Sequence, residues 1–246
     1  MEVDVVIPMV FTTPEWLDSF KRYIKIKSPN EKFDEFINLR YRDLGTGEYQ
    51  VKLILKHMPF VRYIHILLSG KDQLREWMTH YPSIRVVYHK DFIDSTCLPT
   101  FNSTTIEMFL AFIPDLSEHF IYANDDMFPL KDMTLEDFFE DNKFPKVQMK
   151  FYHADLFKNW YQQAITNSLK IIYGRTTFLE RDYANVIYKP THMMNPMLRS
   201  ICLLVSRTYG REMLNSCSRF RSPQNFIQYI YTYQMDLMGL LRDSTR

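Results

Sequence analysis

Asn124, Asp125 and Asp126 follow directly on a short apolar run, Phe120 to Ala123. Two adjacent carboxylates on a non-helical turn can face one hard cation, and the asparagine adds a neutral oxygen. Such a set suits Mg²⁺ or Mn²⁺, which take a few protein oxygens and leave places for water and phosphate. The same triplet is ordinary turn chemistry, so residue types alone leave both readings open. Leu98-Pro99-Thr100-Phe101-Asn102-Ser103 delivers Asn102 and Ser103 to a helix start, where free N–H groups favour an anion. The plainer reading is that Ser103 only caps that helix. Tyr41-Arg42-Asp43-Leu44-Gly45-Thr46-Gly47, followed by Glu48, Tyr49 and Lys52, forms a third group. Its glycines permit close backbone approach and Arg42 or Lys52 can neutralise phosphate, but the pattern matches neither the P-loop nor the dinucleotide fingerprint. His192, held between Pro190 and Pro196, can serve as a general base near neutral pH, or simply pack. Arg221, just before Ser222-Pro223, is placed to hold phosphate or to form an ordinary salt bridge. No G-x-S-x-G or Cys/His protease pattern appears.

The elements that must position these residues are legible in outline. Val3 to Ile7, Tyr63 to Leu68, Ile84 to Tyr88 and Phe120 to Ala123 read as strands buried on both faces. Helical segments fall between them, so the expected sheet is mostly parallel, and ligands in such sheets sit beyond the carboxyl ends of the strands. Thr13-Pro14-Glu15 predicts a capped helix lined by Trp16, Phe20, Tyr23 and Ile24. Ser103 is expected to cap a helix carrying Ile106, Phe109, Leu110 and Ile113, and Thr134 to Asp137 resembles a capping box. After about Lys158 the strand rhythm stops. Asn159 to Tyr173, Leu198 to Tyr209 and Ser222 to Leu241 read as helices, the last capped by Ser222-Pro223. The expected class is therefore α/β: a core over residues 1–157 and a helical C-terminal portion over 158–246 that completes the site within the same compact domain.

Composition bounds the function. The 30 Lys+Arg against 29 Asp+Glu leave no global field to recruit nucleic acid. Cys97, Cys202 and Cys217 are too few and too scattered for a disulfide framework or zinc cluster, and read as buried reduced thiols of a cytosolic protein. The opening Met1-Glu2-Val3-Asp4 reads as a first strand rather than a signal peptide, and no apolar stretch is long enough to span a membrane.

Taken jointly, these stretches resemble the Stealth family, which contains bacterial capsular-polysaccharide sugar-1-phosphate transferases and the catalytic part of animal N-acetylglucosamine-1-phosphotransferase. The resemblance runs from Arg42 to about Phe139. It includes Arg42-Asp43, Tyr49, Met58-Pro59-Phe60-Val61-Arg62 and His89-Lys90-Asp91. Most specific is Leu98 to Ser103 with Ile106-Glu107, then Ile113 to Glu118 and Phe120-Ile121-Tyr122 leading into Asn124-Asp125-Asp126. A looser C-terminal match rests on Asn167, His192-Met193, Phe220-Arg221-Ser222 and Gln228 to Tyr233. One departure stands in the first block. Met9-Val10-Phe11-Thr12-Thr13 replaces a family loop that carries an acid and a glycine, although Pro14-Glu15-Trp16 is kept.

The resemblance implies a Rossmann-like (GT-A-like) sheet and a phosphotransferase acting on a nucleoside-diphosphate sugar. A hexose or N-acetylhexosamine 1-phosphate would pass to a hydroxyl of an oligosaccharide or polysaccharide in capsule or exopolysaccharide synthesis. By that resemblance Asp125 and Asp126 hold Mg²⁺ or Mn²⁺, and His192 and Arg221 complete the catalytic set. Arg42, Asp43, Lys52, Asn102, Ser103 and Asn124 are the expected donor-binding residues. The implied setting is the bacterial cytoplasm, peripheral to the inner membrane and its capsule machinery. Two other readings stand beside it: a metal-dependent glycosyltransferase attacking the anomeric carbon, and an inactive sugar-nucleotide-binding protein.

Overall fold

A computed structural model describes residues 1–24, 41–153, 159–174 and 186–243. The expected boundary at Lys158 lies outside the described residues. Four parallel strands form the centre: β1 (Val3–Pro8), β2 (Val61–Leu68), β3 (Ile84–Tyr88) and β4 (His119–Tyr122). A fifth, β9 (Asn195–Leu198), runs antiparallel along β4 and gives the order β3-β2-β1-β4-β9. The fold class expected from the sequence is the one observed: an α/β protein with a mostly parallel sheet, flanking helices and C-terminal helices.

Both sheet faces are covered, which is why the strands read as continuous apolar runs. Val3, Val5 and Ile7 pack on one side with Val51 and Ile54 of α2 (Thr46–His57). Val6, Leu67, Phe120 and Tyr122 pack on the other with α4 (Trp160–Tyr173), α5 (Arg199–Ser216) and α6 (Tyr229–Leu237). One acid interrupts β1. Asp4 is fully buried, and its carboxylate accepts from Arg62 Nε and Nη2 at 2.9 and 2.8 Å and from the Ser117 backbone N–H at 2.8 Å. His65 Nε2 lies 3.1 Å from the same carboxylate. This lock ties β1 to β2 and to the segment entering β4, and the hydrogen bonds together hold the Asp4 pKa well below the carboxylate range despite burial.

The helix at Pro14 forms as expected: α1 spans Pro14–Tyr23 and the Thr13 hydroxyl accepts from Trp16 N at 3.1 Å. α4 likewise begins after an Asn159 cap, and Thr134 with Asp137 forms a capping box on a 3-10 turn.

Elsewhere the expectations need correcting. The helix after Asn102, α3 (Ser103–Glu107), has only five residues, and Asn102 rather than Ser103 caps it. The strand rhythm does not stop near Lys158: β8 (Val186–Pro190) pairs with β7 (Met149–His153), and β9 and β10 (Arg242–Asp243) follow. Leu198 ends β9 instead of opening a helix, and α5 runs on to Ser216 past a non-helical Tyr209. Ser222-Pro223 is a turn, since Ser222 N donates to Asn225 Oδ1 at 2.7 Å and helix begins only at Tyr229. Two short strands, β5 (Phe139–Glu140) and β6 (Phe144–Val147), were not anticipated. Among the described residues no helix is long and apolar enough to cross a membrane.

Candidate active site

In the strand order the sequence of neighbours reverses between β1 and β4, and open α/β sheets bind ligands at the carboxyl ends beside such a reversal. A cavity of about 430 Å³ opens there. It is lined by Pro8 at the end of β1 with Met9 and Val10 just beyond it, and by Asn124, Asp125 and Asp126 after β4.

The acidic triplet is held as a turn. Ala123 N still pairs with Val6 O at 3.0 Å, and Met127 N then donates to Asn124 O at 3.2 Å. From beneath, buried Gln50 of α2 donates through Nε2 to the carbonyls of Asn124 and Met127, both at 2.7 Å. The backbone is thus committed to the interior, and the carboxylates of Asp125 and Asp126 are left facing outward, accessible to solvent. Asp125 nevertheless sits low in the concavity. Its surroundings raise its pKa above the usual carboxylate value, chiefly by desolvation and next by the charge of Asp126, with Arg221 opposing.

His192 reaches this turn from a distant segment. Pro190 ends β8, Thr191 N donates to Gln148 O at 2.9 Å, and the chain then enters β9, where Asn195 pairs with Tyr122 of β4. The β4–β9 pairing therefore brings His192 beside Asp126, with Nε2 3.4 Å from Oδ2.

Arg221 arrives from the loop between α5 and α6. Phe101 N donates to Arg219 O at 2.9 Å, Thr105 Oγ1 to Ser218 O at 2.9 Å, and Asn102 Nδ2 to Asn225 Oδ1 at 3.1 Å. Asn167 of α4 donates to Pro223 O at 2.9 Å and Asn225 O at 3.1 Å. Fixed in this way, Arg221 donates to Ser103 Oγ at 3.3 Å, and its guanidinium lies 5.0 Å from the Trp160 ring centroid.

The expected site residues therefore divide. Ser103, Asn124, Asp125, Asp126, His192 and Arg221 all line one cavity. Asn102, fully buried, does not line it and acts as the brace beneath Ser103 and Arg221. Arg42, Asp43 and Lys52 do not line it either. Asp43 Oδ1 accepts from Gly45 N at 2.8 Å, in a turn that needs the left-handed φ of 72° at Gly45. Gly47 serves packing, since a Cβ there would stand 3.2 Å from Met9 Sδ. Lys52 forms an ion pair with Glu48, one helical turn earlier, at 2.7 Å.

A titratable cavity residue outside the expected set is Glu107. Glu107 is buried: its Oε1 accepts from Tyr122 OH at 3.0 Å and its Oε2 from Gln228 N at 3.1 Å. Burial pushes its pKa up to about 7, against those two hydrogen bonds and the Arg221 charge. The readable signal was an acid in the otherwise apolar stripe of Ile106, Phe109 and Leu110. Tyr161 and Tyr229, whose hydroxyls meet at 2.9 Å, also line the cavity and are not among the expected site residues.

Among the described residues no three His, Cys, Asp or Glu side chains are grouped as a metal cage. The donor set that exists is an adjacent pair of carboxylates with excess negative charge and an open solvent side. That set fits a hard divalent ion drawing its remaining ligands from water and phosphate, and does not fit a closed structural site.

Comparison with known proteins gives consistent matches. Residues 40–147 match the family model described as Stealth protein CR2, conserved region 2. The chain is 31% identical over 244 residues to the capsular polysaccharide phosphotransferase cps1A of Actinobacillus pleuropneumoniae, covering 96% of this chain and 66% of that protein. It is 30% identical over 251 residues to the capsular polysaccharide phosphotransferase fcs1 of Haemophilus influenzae, covering 97% of this chain and 68% of the relative. The exopolysaccharide phosphotransferase cps2G of Lactiplantibacillus plantarum is 36% identical over 147 residues, 59% of this chain and 41% of that protein. The chain thus spans about two thirds of the length of the first two of these relatives.

Proposed function

The chain belongs to the Stealth family, and from that premise we propose that it transfers a sugar 1-phosphate from a nucleoside-diphosphate sugar to a carbohydrate hydroxyl in bacterial capsule or exopolysaccharide synthesis. The observation that carries this reading is the convergence of Asp125, Asp126, His192 and Arg221 on one cavity from three distant segments.

Phosphoryl transfer asks the protein mainly for positioning and charge neutralisation. The acceptor hydroxyl oxygen forms a bond to the sugar-bearing phosphorus, the bond from that phosphorus to the bridging oxygen breaks, and the nucleoside monophosphate leaves. His192 takes the hydroxyl proton on its imidazole, and Asp126, whose Oδ2 lies 3.4 Å from Nε2, steadies the imidazolium that results. Arg221 holds phosphate oxygens, its guanidinium oriented by the Trp160 face and by Ser103 Oγ. Asp125 and Asp126 would hold Mg²⁺ or Mn²⁺, which when bound offsets the diphosphate charge. The proposed setting is the bacterial cytoplasm, with the capsule machinery of the inner membrane as the neighbour that supplies the acceptor.

The released nucleotide decides the reading. Incubation with a panel of sugar nucleotides, an oligosaccharide acceptor and Mg²⁺ or Mn²⁺ should release nucleoside monophosphate and leave a phosphodiester in the product. Nucleoside diphosphate as the product would instead establish glycosyl transfer at the anomeric carbon. Met9 and Val10 line the cavity as apolar residues, in the loop where the resemblance implies an acid and a glycine, and this favours a second reading as an inactive binder. Donor binding without turnover across the panel would establish that one.

A further inference from the structure

Beside the cavity that holds Asp125 and Asp126 lies a second one of about 340 Å³. The two share five wall residues: Trp16, Ser69, His89, Thr100 and Phe101. Ser69 follows β2 and His89 follows β3, so the second chamber lies at the carboxyl ends of the strands on the far side of β1 from the acids. Three strand spacings of about 4.8 Å each put the end of β3 roughly 14 Å from the end of β4. A diphosphate followed by a ribose spans that order of distance.

His89 is the unusual member of the shared wall. It is 5% exposed, and its Nε2 is enclosed without a hydrogen-bond partner among the described residues. Its backbone is fixed, because His89 O accepts from Ile93 N at 2.8 Å and Tyr88 N is held by Asp91 Oδ2 at 3.1 Å. Desolvation alone pushes its pKa down to about 4, so the ring is neutral at physiological pH and does not compete with Arg221 for phosphate. Leaving a buried polar atom unpaired is costly, and such an atom in a cavity wall calls for a partner that a ligand supplies. A neutral imidazole, able to donate at one nitrogen and accept at the other, suits an uncharged polar edge rather than a phosphate. Aromatic Trp16, Tyr88 and Phe101 line the same chamber, as suits a flat heterocycle.

We propose that the second chamber receives the nucleoside end of the donor and that His89 is its hydrogen-bonding contact, an inference that rests on the phosphotransfer reading above. The diphosphate then crosses the shared wall at Ser69 and Thr100, and the sugar-bearing phosphorus lies over Asp125 and Asp126.

Calorimetric titration of UDP, CDP, GDP and ADP, and separately of pyrophosphate, all with Mg²⁺, tests it in the full chain. The wild type should bind at least one nucleoside diphosphate, and His89→Phe should weaken that nucleotide about tenfold while leaving pyrophosphate unchanged. Ser19→Trp, which fills the half-buried mouth of the second chamber without touching the fold interior, should give the same pattern should His89→Phe fold poorly. Unchanged nucleotide affinity in the folded variants would overturn the assignment, as would an equal loss of nucleotide and pyrophosphate. A wild type that binds pyrophosphate but no nucleotide in the panel would overturn the nucleoside-donor reading itself along with it.

Discussion

Glu107 sets up a stability test that depends on its burial alone. Its carboxyl is enclosed between α3, Tyr122 and Gln228, and its pKa rises from 4.5 to about 7. Between those values the folded state binds the proton more tightly than the unfolded chain does. Its contribution is therefore complete below pH 4.5 and is lost as the pH rises through about 7. The shift is worth roughly 3 kcal/mol at full ionisation. Glu107→Gln keeps the shape and removes the charge. The carboxamide oxygen can accept from Gln228 N–H, and its NH₂ can donate to the Tyr122 hydroxyl, which rotates to accept. The variant should match wild type near pH 4.5 and exceed it by about 2–3 kcal/mol at pH 8, or about 5–10 °C in Tm. His89, displaced in the opposite sense, is present in both proteins and cancels in the difference. Urea and thermal melts of both at half-unit pH steps measure it. Parallel curves from pH 4.5 to 8, or a variant less stable at pH 8, would show that Glu107 is ionised in the folded protein without cost.

Asp126→Asn should cut turnover about a hundredfold or more, while the melt stays within about 0.5 kcal/mol because the side chain is exposed; retained turnover in the pure variant rules out the carboxylate's proposed role. Asp4→Ala leaves Arg62 and His65 facing a hole, and should cost about 3–5 kcal/mol in urea denaturation. The same lock predicts that wild type loses stability as the pH falls through the carboxylate range, since the Asp4 pKa is depressed, and that Asp4→Ala flattens this acid limb. Asn102→Ala removes the α3 cap and the brace to Asn225, so it should cost at least about 1–2 kcal/mol and raise the donor KM more than it lowers kcat. An unchanged KM would mean that Arg221 is held without this brace.

The central strands were readable because burial on both faces leaves a continuous β-branched run, and α1 because Thr13-Pro14 is an unambiguous start. The β7–β8 ribbon was not, since Met149–His153 mixes charge with aromatics and shows no clean alternation. β9 hid behind Pro196, tolerated because the strand is at the sheet edge. Ser222-Pro223 carried a helix-start signal, yet Asn167 and Asn225 claim the local backbone for a turn. At the site, resemblance singled out the four residues that converge, which spacing could not have done across nearly a hundred positions. Lys52 fails to reach the cavity for a local reason, the Glu48 ion pair one helical turn away. Glu107 was passed over because an acid flanked by apolar residues reads as part of a helix face until its burial is known.

Two of the three converging segments, the acidic turn and the Arg221 loop, share a mode of anchoring, whereas the His192 segment is held by backbone pairing. Gln50 holds the acidic turn, Asn102 and Asn225 hold the Arg221 loop, and Asn167 supports that loop from α4. All four are neutral amides, and their partners are backbone groups, hydroxyls or other amides rather than Asp125, Asp126, His192 or Arg221. A charged brace would act on the chemistry: a lysine beside the acids would displace a divalent ion, and a carboxylate beside Arg221 would occupy the guanidinium meant for phosphate. Amides fix geometry while adding no net charge to the cavity, so its field is set by Asp125, Asp126, Arg221 and whatever fraction of Glu107 is ionised. The full charges that hold the fold, Asp4 with Arg62, lie at the start of β1, the opposite end of the strand from the cavity. Stability by ion pairing and charge for catalysis are thereby kept at opposite ends of the sheet, and substitutions at one end should leave the other's pH dependence unchanged.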